Sequence, residues 1–273
     1  MLRRRLDNRD TVPNQSLARG LVILESFSDE AAELGVRELS RLLGLDKSVV
    51  HRLARTLAGR GFLEQNPETL RYRIGPRVFQ VGQQYAPAAR LTGAAQPVLR
   101  SLARQHQLNT YLGVLQQGAV LYLLALQSSG PIAIRATPGS RARLHSTALG
   151  KVLLAAESDE GAARLLGPDP LTRLTPATLV EPSAVLAQLP EVRRLGYAIS
   201  DEENLPGVFA VGAPVRDRSG HVTAAISGAS PRWLTPDARV PELARTVLEA
   251  AAGISRDLGA PAIDLFSAPR RTP

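Results

Sequence analysis

The 273-residue chain has no cysteine, which excludes disulfides, thiolate catalysis and cysteine-ligated zinc. Lysine is nearly as scarce. Lys47 and Lys151 are the only two, and the remaining positive charge is arginine. Long apolar runs are missing as well. Those present are short and interrupted by charges or glycines, far from the roughly 20 consecutive apolar residues a membrane helix needs. Residues 1–13 are charged and lack the apolar stretch of a secretory leader. A soluble, cytoplasmic protein with no membrane partner is the expectation. The four histidines, His51, His106, His145 and His221, have no metal-ligand spacing, so no metal and no cofactor are expected.

Signatures of catalysis are absent too. There is no Gly-x-Ser-x-Gly elbow. Gly150-Lys151 sits as in a phosphate-binding loop, but His145 stands where that loop needs its first glycine, and Val152 stands where it needs serine or threonine. With no nucleophile–base pair to point to, the chain is not expected to be an enzyme.

What the chain does have is 44% hydrophobic residues, enough for real cores, and a length that suggests two domains. Its net charge of +8 is spread evenly. Residues 1–85 carry 14 basic and 10 acidic side chains and the remainder 19 and 15, or +4 in each part. The position of the charges must therefore carry any argument about nucleic acid.

Residues 1–14, with Arg3, Arg4, Arg5 and Arg9, read as a disordered basic arm. Ser16 reads as the cap of a helix running to about Ser28 on Leu17, Leu21, Leu24 and Phe27. A second helix spans Val36–Leu43. Gly44 follows where a left-handed residue ends a helix, and Asp46 is placed to cap a third helix ending near Gly59. Two short strands, 62–65 and 71–74, flank the turn Asn66-Pro67-Glu68-Thr69. Residues 15–75 thus form a winged helix-turn-helix. Residues 76–93 form a linker, with a helix over 77–85 and breaks at Pro87 and Gly93.

Residues 94–259 read as one α+β domain with a mostly antiparallel sheet. It opens on a helix over 94–107. Strands follow at 110–115, 120–124, 132–135, 197–200, 208–215 and 222–227. Helices are expected at 146–156, 159–166, 182–195 and 240–258. Residues 260–273 form a tail.

In the third helix Val50, Leu53, Ala54 and Leu57 face inward, which turns Lys47, Ser48, Val49, His51, Arg52 and Arg55 outward. Arg52 can bind guanine bidentately, Ser48 can reach a phosphate or base, and Val49 can meet a thymine methyl. Arg71 and Arg73 on the wing are placed for phosphates. A basic face alone would be an ordinary solvated helix. The Gly44 turn, the preceding helix and the wing favour double-stranded DNA as the partner.

The runs SLARGLVILESF, VRELSRLLGLDKSVVHRLARTLAGRGFLEQ and RYRIGPRVFQVG, with PGSRARLHSTALGKVLLA and RRLGYAISDEENLPGVFAVGAPVRDRSGHVTAAISGASP, closely resemble the IclR family of bacterial regulators over about residues 15–258. The resemblance implies a winged helix, a linker helix and a GAF-like effector domain. It also implies assembly as a homodimer or homotetramer, and repression as the commoner mode of action. Asp46 and Val49 depart from the proline and threonine common in the family's recognition segment, so base preference does not carry over.

By the same resemblance, the effector pocket involves Ala148, Leu149, Ser200, Ala210, Ser227 and Ala229. Family members that bind small keto acids have aspartate in place of Ser200 and cysteine in place of Ala210. The smaller, less polar lining here implies a bulkier or more apolar organic acid, an aromatic or aliphatic carboxylate. His145, Ser146 and Thr147 open a helix whose free amides favour an anion, the Ser146 and Thr147 hydroxyls serving either as caps or as ligand contacts. Asp201, Glu202 and Glu203 read as a solvated loop or as partners of nearby arginines, Asp201 lying next to the pocket. Arg135, Arg141 and Arg143 precede the helix, within reach of a carboxylate.

Overall fold

The computed structural model describes residues 14–28, 31–82, 84, 86–128 and 136–261. Residues 1–13 of the arm, the strand expected at 132–135 with Arg135, and residues 262–273 of the tail lie outside these. The chain divides into two compact units, residues 1–86 and 87–273.

The first unit opens on α1 (Gln15–Leu24). Asn14 is its cap rather than Ser16, because the Asn14 side chain accepts a hydrogen bond from the Leu17 amide at 3.0 Å. The helix ends at Leu24, four residues before the expected end. Just beyond it, the Ser26 hydroxyl turns back onto the Val22 carbonyl at 2.8 Å, the local bonding that competes with continued helix. Helix α2 (Val36–Leu43) and helix α3 (Lys47–Gly59) follow. Between them Gly44 has φ 68°, left-handed backbone that a side chain disfavours. The Ser40 hydroxyl closes the turn by donating to the Leu45 carbonyl at 2.6 Å. Asp46 caps α3 with its backbone alone and makes no side-chain capping bond.

Strands β1 (Leu63–Gln65) and β2 (Tyr72–Ile74) form the wing, and the Leu34–Tyr72 bridge adds a third segment to it. The core of the unit is Val22, Ile23, Leu39, Leu43, Val50, Ala54, Leu63 and Tyr72. Helix α4 (Pro76–Gly82) ends the unit.

The second unit begins with α5 (Ala86–Gln105). It runs unbroken through Pro87 and Gly93, the two expected breaks. Pro87 falls in the first turn, where its missing N–H has no intrahelical acceptor to lose. Six antiparallel strands follow: β3 (Asn109–Gln116), β4 (Ala119–Leu126), β5 (Arg141–Ala142), β6 (Ala198–Asp201), β7 (Val208–Arg216) and β8 (Val222–Pro231). Their order in the sheet is β5-β4-β3-β8-β7-β6. The helices α6 (Ala148–Ala155), α7 (Asp159–Leu166), α8 (Pro182–Leu195) and α9 (Val240–Asp257) complete the unit.

Side chains alternate along each strand, and both faces of this sheet are covered. Phe209, Val211, Ala213, Val215, Ala224 and Ile226 pack with α5 and α9 residues such as Leu99, Val247 and Ile254. The opposite face places Tyr111, Ala198, Ala225 and Ala229 against Leu149, Val152, Leu153, Val185 and Leu189 of α6 and α8. Burial on both sides explains why β7 and β8 lack a polar alternate row.

Candidate DNA interface and effector site

In α3, Val50 and Ala54 are buried, while Lys47, Ser48, His51, Arg52 and Arg55 are exposed and Val49 is half-buried. Among the described residues, Lys47, Arg52 and Arg55 have no carboxylate partner. Three uncompensated cations thus stand on the outward side of one 13-residue helix.

The wing arginines differ. Arg71 donates to the Glu33 carbonyl at 2.8 Å and pairs with Glu38 at 2.8 Å. Glu38 in turn accepts from the Gly35 amide at 2.7 Å, which, together with Arg71, holds its carboxyl below the usual range. Arg71 therefore fastens the wing to the start of α2. Arg73 pairs with Glu64 of the neighbouring strand at 2.9 Å. Neither wing arginine is a free cation. Between them Tyr72 is fully buried, and its hydroxyl has no hydrogen-bond partner among the described residues.

The second candidate site lies on the α6 face of the large sheet. Ser200 pairs directly across from Ala210, Ala210 from Ala229 and Ala229 from Asn109. Residues opposite one another in antiparallel strands share a face, so Ser200, Ala210 and Ala229 form one row. The next row on that face is Ala198, Gly212, Ser227 and Tyr111. The start of α6 rests on this second row. A Cβ built on Gly212 would lie 2.8 Å from the Ala148 carbonyl and 3.1 Å from the Leu149 amide nitrogen. Glycine there lets helix backbone approach strand backbone.

The polar side chains at the start of α6 are already engaged. His145 is buried, with Nε2 3.0 Å from the Thr172 carbonyl, and burial holds its pKa below the ordinary value. The Ser146 hydroxyl bonds Asn204 at 3.1 Å, and the Ser200 hydroxyl donates to the Ser146 carbonyl at 2.7 Å. Thr147 is the cap. It accepts from the Gly150 amide at 3.0 Å and donates to the Arg143 carbonyl at 2.8 Å. Its carbonyl receives the Lys151 amide. The amides of Ala148 and Leu149 belong to the first turn, which has no intrahelical acceptors. Ser227, nearly buried on the floor, has no side-chain hydrogen bond among the described residues.

Sequence reasoning missed two features of this face. Tyr111 and Tyr122 meet as a tilted pair, 5.5 Å between ring centroids and 53° between ring planes, and burial raises both phenols, Tyr122 to about 12. They pack in the same cluster as Leu149. The other is Lys151. It is buried in α6, with Nζ 2.5 Å from Glu203 Oε1 and 3.1 Å from the Ile199 carbonyl. Burial pulls the Lys151 amine down and pushes the Glu203 carboxyl up, and the ion pair opposes both shifts. The signal was a lone lysine inside the apolar run ALGKVLLA. Of the acidic cluster, Asp201 does meet an arginine, Arg232, at 2.8 Å, and Glu202 accepts from the Gly207 amide at 3.0 Å. Glu203 is neither solvated nor paired with arginine, because the two threonines Thr175 and Thr178 hold its carbonyl inside.

The family profile for the IclR helix-turn-helix domain matches residues 16–67, and that for the bacterial transcriptional regulator IclR C-terminal domain matches residues 83–256. The chain belongs to the IclR family. Among its IclR-family relatives is the HTH-type transcriptional regulator XynR of Escherichia coli K12, 34% identical over 248 residues, covering 91% of this chain and 98% of XynR. The transcriptional repressor IclR of the same organism is 31% identical over 247 residues, 90% of each chain. Among solved structures, an IclR homologue from Microbacterium hydrocarbonoxydans complexed with 4-hydroxybenzoate superposes with a TM-score of 0.81 at 28% identity, over 89% of this chain and 98% of that one. The chain is thus a DNA-binding transcriptional regulator rather than an enzyme. Among the described residues no helix is long and apolar enough to cross a membrane, and no cluster of histidine and carboxylate could hold a metal ion.

Proposed function

We propose that this IclR-family regulator is controlled by an organic acid bound on the α6 face of the large sheet, and that α3 reads the operator. A carboxylate is received by the first-turn amides of α6 at Ala148 and Leu149, where the helix dipole favours an anion. The body of the ligand lies over the small floor of Ser200, Ala210 and Ala229. Ser227 carries the reading. It is a nearly buried hydroxyl with no partner among the described residues, one register pair from Gly212, over which α6 begins. The residue is buried but its Oγ keeps a little solvent contact, so an incoming ligand can replace water there with a directed hydrogen bond. The paired rings of Tyr111 and Tyr122 favour an aromatic acid over a short keto acid, in line with the 4-hydroxybenzoate held by the Microbacterium homologue. His145, Ser146, Thr147 and Asp201 frame this site by holding its backbone in place.

On α3 the contacts belong to Lys47, Ser48, Val49, His51, Arg52 and Arg55. Arg71 and Arg73 support the wing and offer phosphates only what their carboxylate partners leave. The protein acts in the cytoplasm as a homodimer or homotetramer, and repression is the mode its relatives favour.

The test is fluorescence anisotropy on the DNA upstream of its own gene, at fixed salt with excess competitor, against a panel of aromatic, aliphatic and keto acids. Tight binding that an aromatic acid alters several-fold, and that Ser227→Ala makes less sensitive to that acid, is the expected result. Sensitivity only to short keto acids, or none to any acid, would overturn the effector assignment.

A further inference from the structure

The second unit has a cavity on the side of the large sheet away from the effector floor. Its volume is about 100 Å³, and Leu108, Leu234 and Leu243 supply its apolar wall. Strand β8 separates the two sites. Ala229 belongs to the effector floor and its neighbour Ser230 lines the cavity, because successive side chains of a strand point to opposite faces. Gly228 faces the same way as Ser230. A Cβ built on it would lie 2.9 Å from Leu108 Cδ1 and 3.4 Å from Val247 of α9.

The hydroxyls of the cavity have already spent their protons. Ser230 and Thr235 are buried with their oxygens 2.5 Å apart, and Thr235 Oγ1 lies 3.3 Å from the Pro231 carbonyl. Both bonds form when Ser230 donates to Thr235 and Thr235 donates to the carbonyl, which leaves Ser230 Oγ only lone pairs to offer. Thr246 donates to the Glu242 carbonyl at 3.0 Å. The Glu242 carboxylate also lines the cavity and has no partner among the described residues. Ser230, Thr246 and Glu242 are thus acceptors without a donor. Arg239 is the converse. It donates to the Leu234 carbonyl at 3.0 Å and meets no carboxylate among the described residues. Arg239 and Glu242 line the same cavity and do not pair with each other.

We infer that this cavity binds a small amino acid, its ammonium on Glu242 and the Ser230 and Thr246 oxygens, and its carboxylate on Arg239. An ammonium carries three N–H donors and no acceptor, the complement of that acceptor set. The donors Arg239 has left suit a carboxylate. Size limits the rest of the ligand. A cavity of about 150 Å³ takes benzene, so this one admits a molecule on the order of five or six non-hydrogen atoms, such as glycine or alanine. A simple acid would suit Arg239 but bring its carboxylate against Glu242. A simple cation would suit the acceptors and face Arg239. A ligand with both charges answers both. The site is separate from the α6 face and from α3, and it stands whichever acid binds on the α6 face.

The full-length protein is titrated calorimetrically with glycine and with L-alanine, each up to about 10 mM. Ethylammonium, which lacks the carboxylate, and propionate, which lacks the ammonium, are run as competitors of the bound amino acid. Glu242→Gln, Arg239→Gln and Ser227→Ala are compared, with a thermal melt to check each fold. The expected result is that at least one of the two amino acids binds and that neither competitor displaces it at equal concentration. Glu242→Gln and Arg239→Gln should each weaken binding about tenfold or more, and Ser227→Ala, across the sheet, should leave it unchanged. Failure of both amino acids to bind would overturn the inference. So would displacement by either competitor at equal concentration, or an affinity that Glu242→Gln leaves intact. Loss of binding in Ser227→Ala alone would put the amino acid on the α6 face and would overturn it equally.

Discussion

Arg52 and Arg71 carry the same charge, and the structure gives them different work. Arg52 is exposed on α3 and has no carboxylate partner among the described residues, whereas Arg71 is bound to Glu38 and to the Glu33 carbonyl. Arg52→Ala should cost about 1–3 kcal/mol of operator discrimination and leave the melting temperature of the winged helix unchanged. Arg71→Ala should lower that melting temperature and weaken binding to all sequences alike. Anisotropy on operator and scrambled duplexes, with a thermal melt of each variant, separates the two. Equal loss of discrimination in both variants would remove the distinction.

Lys151 and Glu203 set a second test at the same scale. Removing one partner of a buried pair strands a charge, at about 3–5 kcal/mol, whereas replacing both with apolar residues of similar size is often neutral. Lys151→Met should therefore destabilise the second unit strongly, and Lys151→Met with Glu203→Leu should recover most of the loss. The single variant should also respond to pH. Burial already raises the Glu203 carboxyl in the fold, and without the lysine it rises further. A carboxyl whose folded pKa exceeds its unfolded value favours the fold most below the unfolded value and loses that contribution as pH rises. The deficit of Lys151→Met should thus shrink on acidification toward the ordinary carboxylate range. Chemical denaturation of wild type, single and double variants at several pH values measures both effects.

At the scale of elements, the start of α6 depends on a glycine in β7. Gly212→Ala puts a methyl 2.8 Å from the Ala148 carbonyl. Overpacking of this kind costs typically about 1–3 kcal/mol, and the helix must lift from the floor. The expected outcome is a folded, DNA-binding protein whose response to the effector is lost, read by anisotropy with and without acid.

How far the sequence reveals these elements depends on what each one packs against. Helices α2, α3, α7 and α8 were legible to within a residue or two, because their apolar stripes and flanking glycines are local signals. The long α5 was not, because Pro87 falls in its first turn, where proline is tolerated, and Gly93 breaks a helix only when tertiary packing does not override it. Here Leu91, Ala95, Leu99 and Leu102 bury one side of the helix against the sheet. Ser200, Ala210 and Ala229 were named from a resemblance. That they stand in one row is a fact of register, which no single strand's sequence encodes. The two-residue β5 was missed because so short an edge strand has no periodicity to read. Lys151–Glu203 and Tyr111–Tyr122 join residues remote in sequence or facing across a hairpin. Only the assembled sheet shows that they are partners.

At the scale of the whole molecule, one thermodynamic requirement binds the two functions. An acid that weakens operator binding by some factor must itself bind more weakly, by the same factor, when the operator is present. The magnitude expected for such coupling is about 1–3 kcal/mol, or roughly 5–150-fold. Operator affinity will also fall steeply with salt, because the exposed cations of α3 release counterions from the phosphates they meet. Affinity of the acid for the free protein should respond far less if, as proposed, its carboxylate is taken up by helix amides rather than by a surface of mobile charge. The two dependences can be separated by titrating the acid calorimetrically into free protein and into protein saturated with operator, at two salt concentrations. A ratio of acid affinities that matches the ratio of operator affinities at each salt establishes a single two-state equilibrium read by both sites. An apparent acid affinity that keeps falling in proportion to operator concentration, instead of levelling off at a finite ratio, would mean that the acid competes for α3 directly and that the α6 face is not the sensor.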